Sequence, residues 1–253
     1  LVPNDGKFVS PFAIRSSVAV EDGIAYFTAG FFPHEGVYLC AVDAVTGQQT
    51  SPRHWKRKLL NQAALQGYIL LSATRIYMPG SRSNPFFFDR ATGSTLGQFS
   101  GAMGTYALLA GSSFILGPAA RGGAQLTEGN TTGDTLASHN NAHCMVVSAN
   151  RSYLIGDTSL TAIDRATARP IWTKTAAFPY ALIMTGQTLI AGGNNAVAAF
   201  DVASGAQIWT HAVQGRAYGL AVANGQLVVS TDQGAIHCFS ADQSRQQSVW
   251  ILF

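Results

Sequence analysis

The stretch "AFDVASGAQIW" at 199–209 repeats, in outline, "AIDRATARPIW" at 162–172, thirty-seven residues earlier. Both run from an apolar segment into an Asp, reach Ser or Thr three residues later and Gly or Ala after that, and place Trp eight residues past the Asp. An Asp that closes a strand can accept N–H bonds from the next two or three residues, and a nearby hydroxyl can join them. A following Gly then takes a positive φ cheaply. The shared word therefore reads as a tight turn between two strands, with Trp172 and Trp209 on the outgoing strand, where a flat side chain can fill a wedge against a neighbouring element.

Working outward, the same turn stands in "AVDAVTG" at 41–47 and "FFDRATG" at 87–93. The repeat-turn residues are then Asp43, Gly47, Asp89, Gly93, Asp164, Asp201 and Gly205, and the blade-packing residues Trp172 and Trp209. Two weaker copies, "LTEGNTTG" at 126–133 and "HCFSADQ" at 237–243, carry Gly129 and Ser240 at the Asp place. The anchors 43, 89, 129, 164, 201 and 240 are 46, 40, 35, 37 and 39 residues apart, the period of a four-stranded propeller blade. Ahead of each anchor lie two apolar runs split by a turn, as in "LIMTGQTLIAGG". Unit five divides into strands "YALIMTG", "QTLIAGG", "AVAAFD" and "AQIWTHAV", with turns at Gly186–Gln187, Asn194–Asn195 and Val202–Gly205. The predicted fold is all-β: a β-propeller of about six four-stranded antiparallel blades in a single domain, 1–253. The stretch "RHWKRKLLNQAALQ" at 53–66 is the exception, with Leu and Ala content suited to one helical turn.

Composition agrees with short buried strands. Only 11% of residues are charged against 47% hydrophobic, with 26 Gly. The formal charge of +3 is scattered apart from "RHWKRK" at 53–58, which reads as a solvated loop and not as a nucleic-acid surface. No apolar run approaches the ~18 residues of a membrane-spanning helix. Cys40, Cys144 and Cys238 sit far apart inside apolar segments and read as buried thiols, with no disulfide or zinc pattern. The chain opens on Leu1, so the expectation is a processed or truncated product whose leader is out of view.

The phrase A-x-D-x-x-[TS]-[GA]-x-x-x-W, intact at 162–172 and 199–209, resembles the blade signature of the quinoprotein-like (PQQ-like repeat) β-propellers. That family includes pyrroloquinoline-quinone dehydrogenases and an outer-membrane barrel-assembly lipoprotein. The resemblance implies an eight-bladed ring, so six units lead to the expectation of an excerpt, with terminal edges open to self-association. It departs in units one and two, which lack Trp at the place eight past the Asp.

The dehydrogenase reading would require, by resemblance, carboxylate and amide ligands for Ca²⁺ beside the quinone and, in many members, a vicinal disulfide. Glu occurs only at 21, 35 and 128, four Asp are turn anchors, and no Cys pair exists. No catalytic, cofactor or metal residue is assigned, and no cofactor is expected. "HNNAHC" places His139 and His143 four apart, but it precedes a strand and lacks a third ligand. Asn130 and Asn150 match a glycosylation pattern that a bacterial origin would leave silent. "GGNN" at 192–195 reads as a hairpin turn, without the helix a phosphate cradle needs.

What these residues favour is a non-catalytic scaffold binding a protein or peptide partner or a ligand. The resemblance adds a periplasmic or cell-envelope setting, and the alternative is a PQQ/Ca-dependent dehydrogenase or a degenerate relative. Candidate anchors in blade-connecting segments are His34, Arg53, His54, Trp55, Arg57, Phe178, Arg216 and Tyr218.

Overall fold

The computed structural model describes residues 1–4, 6–30, 35–59, 65–80, 83–99, 104, 106–117, 124–130, 134–240 and 249–251. Every regular element among them is a β-strand. The chain divides into two compact units, Leu1–Asn140 and Asn141–Phe253.

In the first unit a short hairpin, β1 (Val2–Asn4) with β2 (Lys7–Val9), precedes three antiparallel four-stranded meanders. They are β3 (Ala19–Glu21), β4 (Ile24–Ala29), β5 (Val37–Asp43) and β6 (Trp55–Leu59); β7 (Leu70–Leu71), β8 (Arg75–Met78), β9 (Phe86–Asp89) and β10 (Thr95–Gln98); and β11 (Tyr106–Ala110), β12 (Ser113–Gly117), β13 (Gln125–Asn130) and β14 (Thr135–Asn140). The second unit opens with the meander β15 (Cys144–Ser148), β16 (Arg151–Ile155), β17 (Ser159–Asp164) and β18 (Arg169–Thr175). A seven-stranded sheet follows, made of β19 (Ala181–Thr185), β20 (Thr188–Gly192), β21 (Asn194–Asp201), β22 (Gln207–Ala223), β23 (Gln226–Thr231), β24 (Ala235–Ser240) and β25 (Val249–Ile251). Its length comes from β22, whose first part pairs with β21 and whose later part pairs with β23, so that one strand closes one meander and opens the next.

Alternation along the central strands explains why neither face can be polar. In β8, Ile76 and Met78 join a core with Ile24, Tyr26, Leu39 and Trp55 of the first meander, while Tyr77 between them joins Ala107, Phe114 and Leu116 of the third. Likewise Leu189 and Ala191 of β20 pack with Tyr153 and Leu160, and Ile190 packs with Leu227 and Val229. Strands sandwiched this way read as continuous apolar runs, and each large side chain fully buried contributes about 1.5–3 kcal/mol. The fourth strands carry the exposed residues, as β18 does along most of its length.

One expectation changes. Trp55–Leu59 is a strand with Trp55 and Leu59 buried at its ends, because pairing with β5 satisfies its backbone and outweighs helix propensity; residues 60–64 lie outside the described set. The turn at Asn194–Asn195 holds: Gly192 pairs with Val197, the Gly193 N–H donates to the Ala196 carbonyl across it, and Asn195 takes φ 55, while Asn194 also pairs with Arg216 of β22. The expected separation of residues 8–15 from 247–253 rests on positions that are partly outside the described residues, as are His34 and the turn after Ser240.

Candidate functional site

The four Asp turns share one geometry. Asp43 Oδ1 accepts the Val45 N–H (3.1 Å), the Thr46 N–H (2.8 Å) and the Thr46 hydroxyl (2.9 Å). Asp89 takes the N–H and hydroxyl of Thr92 at 2.8 and 2.8 Å, Asp164 those of Thr167 at 2.8 and 2.9 Å, and Asp201 those of Ser204 at 2.8 and 2.6 Å. Gly47, Gly93 and Gly205 then donate back to the Asp carbonyls with φ near 70°. At the Asp164 turn Ala168 takes this left-handed place, at φ 55. These bonds hold all four carboxyls below the ordinary aspartate value, led by the Thr amide at Asp43 and Asp164 and by the hydroxyl at Asp89 and Asp201.

Gly93 and Gly205 also receive a tryptophan from the preceding meander. A Cβ on Gly205 would lie 2.6 Å from Trp172 Cε3, and Trp172 Nε1 donates to the Val202 carbonyl at 3.3 Å. Trp55 stands in the same relation to Gly93, where a Cβ would lie 2.4 Å from its Cζ3. Two residues after each Trp a long basic side chain completes the contact: Lys174 packs on Gly205, and Arg57 donates Nε to the Thr92 carbonyl at 2.6 Å. Trp209 instead meets Phe239 at 5.3 Å between ring centroids.

The register places Trp55 opposite Ala41, Trp172 opposite Ala162 and Trp209 opposite Ala199. Trp55 is thus the first unit's equivalent, hidden from a fixed-spacing reading by a longer turn. The second meander reverses the sizes, with Gly97 opposite Phe87, whose ring covers it.

The opposite ends of the strands are built differently. His143, Tyr180 and Tyr218 occupy equivalent places, each just before the first-strand pairs Cys144↔Ile155, Ala181↔Gly192 and Gly219↔Ser230. His143 Nε2 lies 2.7 Å from Asp157 Oδ1. The Tyr180 and Tyr218 rings meet at 4.8 Å, and the Arg216 guanidinium lies 5.9 Å from the Tyr180 centroid. Arg216 Nε is 4.0 Å from Asp232 Oδ2, too long for a hydrogen bond, and its side chain is 54% exposed. Three consecutive backbone N–H groups fix this crossing segment to side chains: Gln214 to His237 Nε2 (3.1 Å), Gly215 to Asn195 Oδ1 (3.0 Å) and Arg216 to Asp232 Oδ1 (2.8 Å). That set was invisible in the sequence, because its acceptors stand 23, 20 and 16 residues from their donors.

The other candidate anchors have structural partners. Trp55 is core, and Phe178 packs edge-on against Phe200 at 5.8 Å. His54 Nδ1 accepts the N–H groups of Thr50 and Ser51, so it belongs to its own turn. Arg53 borders a cleft of about 410 Å³ with Asp22, Tyr26 and Arg90. Arg90 fills its floor with bonds to Tyr26 Oη and the Ser72 carbonyl and ion pairs to Glu21 and Asp22. His139, on β14, faces Glu128 at 3.5 Å, so it and His143 serve different partners. Among the described residues no three His, Cys, Asp or Glu side chains are grouped to hold a metal. One feature had a readable signal that spacing alone did not use. Leu96, Leu136, Ile171 and Ile208, each seven past its anchor, sit at the register shifts of the fourth strands and are 42% to 58% exposed.

Residues 193–250 match the PQQ-like family model described as outer membrane protein assembly factor BamB. Over those residues the chain is similar to a PQQ-like repeat. Among solved structures, BamB from Moraxella catarrhalis is similar to this chain with a TM-score of 0.71 at 16% identity, covering 95% of this chain and 77% of that one. The computationally designed protein Ika8 is similar at a TM-score of 0.70 and 15% identity, covering 94% and 74%. At such identities the likeness is one of fold. A search of curated proteins by sequence finds no match. The meanders thus carry fixed Asp turns at one end of their strands and, in the second unit, a tyrosine–arginine platform at the other.

Proposed function

We propose that this PQQ-like propeller is a non-catalytic scaffold of the bacterial envelope that binds a protein partner during outer-membrane protein assembly. The binding surface is the platform of Tyr180, Arg216 and Tyr218. What supports this is coincidence of place: Arg216 and Tyr218 fall inside the stretch 193–250 that matches the BamB model. Tyr and Arg are residue types that dominate protein-binding hot spots, and here an exposed Arg216 side chain stands 5.9 Å from the Tyr180 ring centroid. The repeat carboxylates, in contrast, are engaged in turns. The same proposal takes residues 1–253 as one propeller domain of six blades, an excerpt of an eight-bladed relative.

Calorimetric titration of the purified chain with the periplasmic domains of the barrel-assembly machinery tests the reading. Binding should weaken at least about tenfold in Arg216→Ala and in Tyr218→Ala. Unchanged affinity in both variants would reject the surface, and absence of binding by the unaltered chain would reject the function. Adding pyrroloquinoline quinone with Ca²⁺ should leave the melting temperature unmoved, whereas a concentration-dependent rise would restore the dehydrogenase reading.

A further inference from the structure

We infer that His237 is a proton-operated latch on the backbone that presents Arg216 and Tyr218, so that acidification loosens this surface. Its regulatory meaning rests on the docking role just proposed; its chemistry does not. His237 Nε2 accepts the Gln214 N–H at 3.1 Å, and a nitrogen that accepts cannot carry a proton. In the latched state the ring is therefore neutral, with its hydrogen on Nδ1. Protonation turns Nε2 into a donor aimed at another donor, and the Gln214 amide loses its acceptor. Gln214 directly precedes Gly215, at φ 88, and Arg216. Of the three consecutive amides that fix the crossing, the one on His237 is thus released first, while those on Asn195 and Asp232 remain.

The surroundings set where this happens. His237 lies on β24 opposite Val229 of β23, and opposite the backbone of Val249 of β25. Its ring is stacked at 9° and 6.3 Å with Phe239, whose other contacts are His211 (4.9 Å) and Trp209 (5.3 Å) from β22. His211 is the titratable group facing it from β22. Arg216 and Asp232 are the charged groups at the adjoining bonds. Burial, and then the neighbouring His211, disfavour the imidazolium and hold His237 below the ordinary histidine value of 6.5. A depressed histidine stabilises the fold above its unfolded value, and that contribution is lost as the pH falls through the folded value. The latch is accordingly closed at neutral pH and opens in mild acid.

Nuclear magnetic resonance of the full ¹⁵N-labelled chain between about pH 8 and pH 5 decides the matter. The Gln214 amide shift should follow the His237 ring with one midpoint, lying below the ordinary histidine value. Exchange of that amide, corrected for its intrinsic pH dependence, should accelerate by at least about fivefold across the midpoint relative to the Val229 amide. His237→Gln, which keeps an acceptor but cannot titrate, should flatten the Gln214 profile. A Gln214 amide that stays constant while the His237 ring titrates overturns the latch, and this wild-type measurement stands even if the variant does not fold. Failure here leaves the docking surface untouched. Unchanged partner affinity in Arg216→Ala and Tyr218→Ala, with a titrating Gln214, removes the docking role and leaves the latch.

Discussion

Replacing Gly205 by Ala isolates the contact that ties one meander to the next. The new Cβ would stand 2.6 Å from Trp172 Cε3, 2.8 Å from Cζ3 and 2.9 Å from Lys174 Cγ, in a residue at φ 69. Two costs are therefore mixed, and Gly47 separates them: its φ is 70 but nothing lies within 4 Å of its added Cβ. A left-handed Ala costs about 1–2 kcal/mol, offset by about 0.5 kcal/mol from the stiffer unfolded chain, so Gly47→Ala should destabilise by about 1 kcal/mol. Ala168 at φ 55 in the Asp164 turn shows the fold accepting that strain. Gly205→Ala adds the displacement of a packed indole, about 1–3 kcal/mol for overpacking, for a total of about 2–4 kcal/mol. Gly93→Ala, facing Trp55 Cζ3 at 2.4 Å, should match it.

Urea titration followed by tryptophan fluorescence measures all three variants. In Gly205→Ala with Trp172→Leu, the indole clash is absent, leaving only the flexible Lys174 side chain to shift, and the double variant should lose less than the sum of its parts, by at least about 1 kcal/mol. If Gly93→Ala and Gly205→Ala both fall within about 0.5 kcal/mol of Gly47→Ala, the tryptophan-to-turn packing is not what binds neighbouring meanders.

Other consequences are equally direct. The four turn aspartates have depressed folded-state values, so their contribution is complete above the ordinary aspartate value and is lost as the pH falls through the folded values; Asp201→Asn should be less stable at neutral pH and show a shallower acid loss below about pH 4 by circular dichroism. Phe87→Ala should cost about 3–5 kcal/mol, and combining it with Gly97→Trp should recover part of that loss in urea titration, since the pair then takes the small-large order of the Ala162–Trp172 pair. Trp55→Ala should destabilise by about 3–5 kcal/mol, like Trp172→Ala, if the two indoles do the same packing work.

How far the sequence can be read depends on the distance between the residues that must agree. The Asp turn is legible because its donors lie two to three residues from its acceptor, so the word itself contains the interaction. Trp55 escaped because the outgoing strand begins later after Asp43 than after Asp164; the Ala two residues before the Asp, opposite each indole, was the better guide. The reversed pair of Phe87 and Gly97 could not be read from either residue alone, since only the summed volume across two strands is constrained. Strand β22 runs on past the "AQIWTHAV" at which the repeat ends a unit, because the Gly215 amide is retained by Asn195 and the strand continues into the next meander. Arg216 and Tyr218 were named from their place between repeats, but what holds them comes from three other segments.

These two kinds of legibility divide the molecule chemically. At the Asp-turn end, composition is dictated by packing: the carboxylate must meet its own amides, and at Gly93 and Gly205 the glycine must leave room for the preceding indole. A substitution there is felt by the next meander, which leaves little freedom to evolve recognition. At the other end, the same repeat position holds His143, Tyr180 and Tyr218, an imidazole and two phenols that the fold accommodates equally. The backbone beneath the last of them is secured by side-chain acceptors that need supply only one lone pair each, so the surface residue can change while its support persists. The proposed binding function therefore belongs at the strand ends where Arg216 and Tyr218 stand, because there the repeat fixes position without fixing identity.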